Sequence, residues 1–221
     1  LVILALPLTK LLQPDPELIK KLPLDAVITD VGSVKEPVIK LWETLHPNFV
    51  GSHPMAGTNQ EGVNAGVENL FRNKPWISTP EQTTNPEALS IVKQLAIALG
   101  CKWLTAKANV HDEAVALISH LPVLISAALL KTMNTEQDQA MTTLAQALAS
   151  SGFADTTRIG GGNPQLGTSM MQNNTSAILH FLHLYQKALK ELEDTIASRE
   201  WGKFKKELEK TKMIRPRFLN E

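Results

Sequence analysis

Cysteine is nearly absent. The chain of 221 residues has one, Cys101, so no intrachain disulfide can form, and a reducing, cytoplasmic setting is the expectation. An excess of charge is absent too. Lys plus Arg and Asp plus Glu number 22 each, which removes the electrostatic reason to expect nucleic acid or an anionic membrane as a partner. The first eight residues lack the basic start and small-residue cleavage site of a signal peptide. No stretch reads as long and apolar enough to cross a bilayer, and no metal site is expected. There is no internal repeat, and no G-x-G-x-x-G phosphate-binding fingerprint. The one glycine triplet, Gly160 to Gly162, falls between helical patterns. What is present is ordinary for a folded globular chain: 43% hydrophobic and 20% charged residues.

The opening run, LVILALPL, resembles a strand buried on both faces of a parallel sheet. A chain that opens inside such a strand reads as cut at its front, with an earlier strand, helix and second strand outside this sequence. Strand and helix signals then alternate. A helix is expected over Pro16–Leu22, a strand over Ala26–Val31, a helix over Val34–Leu45, and strands at Phe49–Gly51 and Trp76–Ser78. A helix follows over Pro86–Leu99, stopped by Gly100, and then a strand over Lys102–Thr105. This alternation argues an α/β domain with a parallel sheet over residues 1–107. From 108 to 221 strand signals stop and a helical domain is expected. Its helices are Glu113–Met133 with Asn109 as N-cap, Thr135–Ser150, Ser169–Ser198 and Trp201–Lys210. Ser151–Gly167, rich in glycine, reads as a loop or broken helix. Ile178, Leu182, Tyr185, Leu189, Leu192 and Ile196 form a heptad-like apolar seam. The basic stretch Arg199–Arg217 reads as a solvated terminal helix.

In parallel sheets ligands bind beyond the carboxyl ends of the strands. Three segments lie there: Leu6-Pro7-Leu8, Asp30 to Ser33, and Gly51 to Pro54. His53 precedes a proline, so it is barred from ordinary helix and sits on extended or turning chain. It is either a proton acceptor or a loop histidine bonded to backbone. Ser33 is either a helix N-cap or a group that fixes a nearby imidazole. Lys35 is expected as a solvated helix charge, and Cys101 as a small buried hydrophobe. Arg158 suits a carboxylate through paired hydrogen bonds, or is a surface arginine. His111 and His120 read as buried histidines satisfied by backbone.

Four stretches carry a family likeness when taken in order: DVGSVK from Asp30, GSHPMAG from Gly51, HDEAVALISHLP from His111, and RIGGGNP from Arg158. With them the chain resembles, over essentially its whole length, the arogenate/prephenate dehydrogenase family, and within it the cyanobacterial-type arogenate enzymes. The resemblance implies an incomplete Rossmann-type α/β domain followed by an all-α dimerisation domain. It implies a homodimer that oxidatively decarboxylates arogenate or prephenate, giving tyrosine or 4-hydroxyphenylpyruvate, with hydride transfer to NADP or alternatively NAD. Residue by residue, His53 matches the catalytic histidine, and Ser33 the serine that hydrogen-bonds it beside the cofactor. Arg158 matches the arginine that binds the ring carboxylate, with His120 and Gly160 also toward the substrate. Leu6, Pro7 and Met55 fall with the dinucleotide. Two departures stand out. Val123 replaces a polar group expected near the substrate, and Gly167 stands where many members carry Trp. An apolar Val cannot donate to a keto acid, which favours arogenate over prephenate. A rival reading is a non-catalytic dimerisation or sensing module with a degenerate nucleotide-binding fold. A β-hydroxyacid type of dehydrogenase would need a lysine motif on the first interdomain helix, and none follows Ala108.

Overall fold

The computed structural model describes residues 1–57, 66–135 and 138–219. Contacts gather the chain into two compact units, Leu1–Ile178 and Leu179–Glu221. The first opens with strand β1 (Val2–Leu4), helices α1 (Leu8–Leu12) and α2 (Pro16–Lys21), strand β2 (Ile28–Asp30), helix α3 (Glu36–Leu45) and strand β3 (Phe49–Val50). The three strands pair in parallel in the order β1-β2-β3. Strands β4 (Ser52–Pro54), β5 (Pro75–Ser78) and β6 (Lys102–Thr105) form a second three-stranded sheet, with helix α4 (Pro86–Ala98) between β5 and β6.

Side-chain alternation along the strands builds two cores. Ile28 and Phe49 point to one face, where Leu8 and Leu11 of α1 and Val38, Ile39 and Trp42 of α3 cover them. Val27 and Val50 point to the other, against Trp76 and against Ala88, Val92 and Ala96 of α4. Trp42 is fully buried, stacks on Phe49 at 5.5 Å and donates its indole N–H to Leu11 O at 2.8 Å. Helix α4 starts on a proline behind an Asn85 cap that accepts from the Glu87 N–H at 2.9 Å. Gly100 closes it at φ +75°, in the left-handed region that favours glycine.

Three sequence expectations change in this half. Strand β1 is not covered on both faces: Leu4 is buried but Ile3 is 44% exposed, and the strand pairs with β2 alone among the described residues. The strands are not all parallel, because β4 runs antiparallel to β5. Its three residues contain a proline, too short and too interrupted to read as a strand. Helix α1 was hidden by the apolar run that contains it.

The helical part begins with α5 (Ala108–Val115), whose N-cap is Lys107 rather than Asn109. It continues through a π-helical turn, Ala116–His120, into α6 (Leu121–Thr135). In the wide turn the Leu121 N–H reaches back to Ala116 O. That widening carries the helix past Pro122, whose ring would clash with a carbonyl of an unbroken α-helix. The whole helix, Ala108–Thr135, runs 28 residues and contains an 18-residue stretch with a mean hydropathy of 1.9. Against expectation, one segment is therefore long and apolar enough to cross a bilayer. Four of its polar side chains, His111, Asp112, His120 and Ser126, are buried. Helices α7 (Gln139–Leu148), α8 (Ser151–Thr157) and α9 (Pro164–Asn173) follow. Of the two readings for Ser151–Gly167, a loop or a broken helix, the second holds: α8 and α9 are separated by the turn through Arg158 to Asn163. Helix α10 (Thr175–Ala197) is separated from α9 by Asn174, which breaks the single long helix expected there.

The second unit holds α10 beyond Ile178 and α11 (Trp201–Ile214), closed by a 3-10 turn over Arg215–Arg217. Surface ion pairs lace it at helical spacing, Lys203 with Glu200 and Lys210 with Glu207. The seam is bare at Leu189, 52% exposed, and at Ile196, 48% exposed.

Candidate active site

Because β1 and β2 run parallel in register, Leu4 opposite Asp30, the segments that follow them, Leu6-Pro7 and Val31 to Ser33, leave the same edge of the sheet. The chain after β3 bends at Gly51, where there is no room for a side chain. A Cβ would lie 2.8 Å from Ile39 Cγ1 and 3.0 Å from Thr79 Oγ1. Buried polar groups staple the bend. Thr29 Oγ1 donates to Val50 O at 2.7 Å, the Ser52 N–H donates to Asp30 Oδ1 at 3.0 Å, and Ser52 Oγ donates to Asp30 O at 2.8 Å. His53, the second residue of β4, is thereby aimed from the sheet edge toward α5.

The His53 ring meets His111. Their Nδ1 and Nε2 atoms are 2.9 Å apart, with the rings edge to face at 5.1 Å. His111 Nδ1 lies 2.7 Å from Asp112 Oδ1. The same carboxylate caps α3, accepting the Lys35 N–H on Oδ1 at 2.7 Å and the Glu36 N–H on Oδ2 at 2.9 Å. His111 is therefore held by side chains and not by backbone, contrary to expectation. No sequence rule pairs it with His53, 58 residues away.

Ser33 and Lys35 also differ from expectation. Ser33 Oγ is buried and makes no hydrogen bond among the described residues. The bond expected from it to His53 is not formed; His53 Nδ1 faces His111 instead. Lys35 is fully buried, not solvated. Its ammonium pairs with Asp30 and donates to Ser52 O at 2.8 Å. Burial pulls its pKa down, and Asp30 opposes that pull. Asp30 also accepts the Gly32 N–H at 2.9 Å, so one carboxylate shapes the turn that carries Ser33.

The remaining expected site residues fall as follows. Leu6 and Pro7 are exposed between β1 and α1, and Met55 is half-buried just past β4, its N–H donating to Pro75 O at 2.8 Å. His120, on the π turn, is fully buried. Its Nδ1 is 3.3 Å from Asn174 Nδ2, and its Nε2 makes no hydrogen bond among the described residues. Asn174 also donates to Asp112 O at 2.7 Å, so the break after α9 ties His120 to the Asp112 end of α5. Gly160 donates its N–H to Ser126 Oγ of α6 at 2.8 Å. A Cβ there would sit 2.5 Å from the backbone of Ser126 and Ala127, so only glycine lets the turn lie on α6. Arg158, two residues earlier, is exposed at the end of α8. Val123 and Gly167 are both half-buried.

His53 and His120 resist protonation. Burial is the largest cause for His53, reinforced by positive or potentially positive charge on Lys35, His111 and His120, and its pKa is held well below the usual 6.5. His120 is lowered to about 4, by burial and His111 against the pull of Asp112. Both are neutral at physiological pH, as a proton acceptor must be. Folding is then linked to pH. The unfolded histidines bind protons below about 6.5 where the folded ones do not, so stability is full above that pH and falls as it drops toward 4. At pH 5 His120 alone should cost roughly 2 kcal/mol. Urea unfolding at pH 7.5 and pH 5 should show this loss, and His120→Gln should narrow the gap between the two pH values. An equal gap in wild type and variant would show that His120 titrates normally.

Two family models match the chain in tandem. The family model described as prephenate dehydrogenase, nucleotide-binding domain, matches residues 1–105. The one described as prephenate dehydrogenase, dimerization domain, matches residues 107–210. A cyclohexadienyl dehydrogenase of Zymomonas mobilis is 35% identical over 80% of this chain and 60% of its own length. A prephenate dehydrogenase of Bacillus subtilis is 34% identical over 70% of this chain and 42% of its own. The chain thus spans about half the length of these curated relatives. Among solved structures, Synechocystis arogenate dehydrogenase superposes with a TM-score of 0.82 at 40% identity, covering 99% of this chain and 79% of that one. Prephenate dehydrogenase of A. aeolicus, in complex with hydroxyphenyl propionate and NAD+, gives 0.88 at 28% identity, covering 96% and 74%.

Proposed function

Since this chain belongs to the prephenate dehydrogenase family, with a Rossmann-like nucleotide-binding part and a helical dimerization part, we propose that it carries the catalytic histidine of an enzyme that oxidatively decarboxylates arogenate, or alternatively prephenate. One observation carries the reading. His53 stands on a stapled bend at the carboxyl edge of the sheet, neutral, with Nδ1 engaged by His111. Its other nitrogen, Nε2, is left to take a proton from a substrate hydroxyl as the carbonyl forms.

A nicotinamide dinucleotide, when bound, supplies the hydride acceptor. The residues present fit one. Ser33 Oγ is a buried hydroxyl without a partner among the described residues, at a strand end, and would be available to a polar group of the dinucleotide. Leu6 and Pro7, exposed after β1, and Met55, half-buried past β4, would offer it apolar surface. Likeness to cyanobacterial-type arogenate enzymes supports NADP over NAD. Arg158 is proposed to bind the ring carboxylate, on a turn that Gly160 holds against α6, and His120 is proposed to take part in substrate binding. Loss of that carboxylate as carbon dioxide is driven by aromatisation of the ring. Val123 supports arogenate, because its apolar side chain cannot donate to a keto group.

The division near residue 107 and the homodimer belong to the same reading. The exposed apolar residues of the α10 seam, Leu189 and Ile196, and the largely uncovered apolar helix Ala108–Thr135 support a second copy as the covering surface. A cytoplasmic location suits one cysteine and a soluble biosynthetic role.

The test is cofactor reduction by the full-length protein with arogenate and prephenate side by side, each with NADP and NAD. Arogenate with NADP should give the highest kcat/KM. A preference for prephenate would overturn the Val123 argument, and no reduction with any pair would favour a non-catalytic module.

A further inference from the structure

Two residues behind His53 have no part in the reaction as proposed above, yet they decide which of its nitrogens is basic. Asp112 is surrounded by donors. Both its oxygens accept backbone N–H groups at the start of α3, and Oδ1 also faces His111 Nδ1. A carboxylate only accepts, so His111 Nδ1 carries a hydrogen. A neutral imidazole has one N–H, so His111 Nε2 then carries a lone pair. The atom facing it at 2.9 Å, His53 Nδ1, must in turn donate. Nε2 of His53 is left with the lone pair. The direction of each hydrogen bond follows from the one before it, and the sequence starts at the only member that cannot be reversed.

We infer that Asp112 and His111 are positioning residues that lock His53 in the Nδ1–H tautomer and so make Nε2 the basic nitrogen of the site. The chain has a second consequence. Once His53 has accepted a proton, its Nδ1–H points at a lone pair whose ring is polarised by a carboxylate. That offsets the nearby charge of Lys35. The carboxylate–imidazole–imidazole order resembles the logic of hydrolase triads, where a buried carboxylate sets the tautomer of the base it never deprotonates. Asp112 also caps α3, the helix that follows the Ser33 turn, so the same carboxylate fixes His53 and the strand-end turn relative to each other.

This inference rests on the reading of His53 as the base, but its first test does not need activity. Full-length protein labelled with 15N in histidine is examined by NMR at pH 8, with His53→Asn and His111→Gln used to assign the two rings. Both should appear as Nδ1–H tautomers, and a His53 found as the Nε2–H tautomer overturns the proposal. Kinetics give the second test. His111→Phe keeps a buried ring without an acceptor, and His111→Gln offers its amide oxygen in place of Nε2. The Phe variant should lose roughly 10- to 100-fold in kcat, the equivalent of one hydrogen bond to a charged group, with KM little changed. The Gln variant should recover most of that loss. Equal kcat for wild type and Phe, or equal losses in Phe and Gln, would overturn the positioning role. Should the Phe variant fail to fold, the wild-type tautomer decides. A wild-type protein with the expected tautomers but no dehydrogenase activity would sink the functional reading and leave the locked histidine standing.

Discussion

His53→Asn in the full-length protein should lower turnover by about two to four decades, the usual contribution of a general base. The substitution is chosen to leave everything else in place. An asparagine amide reaches about as far as imidazole Nδ1, so its N–H can still meet His111 Nε2. The Ser52 and Asp30 staples of the bend use backbone and other side chains and are untouched. What disappears is the atom that accepts a proton. Cofactor affinity should therefore move by no more than a few-fold when titrated directly, while kcat collapses. The acid limb of the wild-type kcat/KM profile should lie well below pH 6.5, because burial and the facing groups Lys35, His111 and His120 hold His53 neutral. Turnover near wild type in the variant would remove His53 from the chemistry, whatever its surroundings.

The position of His53 was legible in the sequence for a plain reason. A histidine before proline cannot sit in helix, and a short apolar strand, Phe49–Val50, runs straight into it. Order of strands and helices was legible too, since alternation of period two and period 3.6 is local information. The partners of His53 were not. The 58 residues that separate it from His111 include a second sheet and helix α4, and no local pattern encodes a contact across them. Lys35 shows the same limit from the other side. A lysine in the first turn of a helix reads as solvated, and only the carboxylate of Asp30, brought alongside by the Gly32 turn, makes its burial tolerable. The helix across Pro122 was legible from its apolar pattern, but the π turn that admits the proline has no sequence signal of its own. Helix α8 was hidden by composition: glycine, serine and threonine are poor helix formers, and only tertiary packing settles such a segment.

Arg158→Gln should act on binding and leave the chemical step alone. The guanidinium is exposed at the end of α8, and no ion pair among the described residues engages it. Its backbone, by contrast, is anchored. The Arg158 N–H bonds to Ala154 O at 3.0 Å, and two residues on, Gly160 is pinned to Ser126 of α6. An anchored backbone with a free planar cation is what binding a carboxylate requires, since a fork of two N–H groups matches two oxygens. Gln keeps one donor and loses the charge. The cost should be about 1.5–3 kcal/mol, the range for a charged hydrogen bond, which is roughly a 10- to 100-fold rise in KM with kcat within a few-fold. Arg158→Lys separates charge from shape. It keeps the positive charge but not the fork, so its KM should fall between those of wild type and Gln. Identical KM values for all three proteins would make Arg158 a surface residue and send the search for the carboxylate partner elsewhere in the fold.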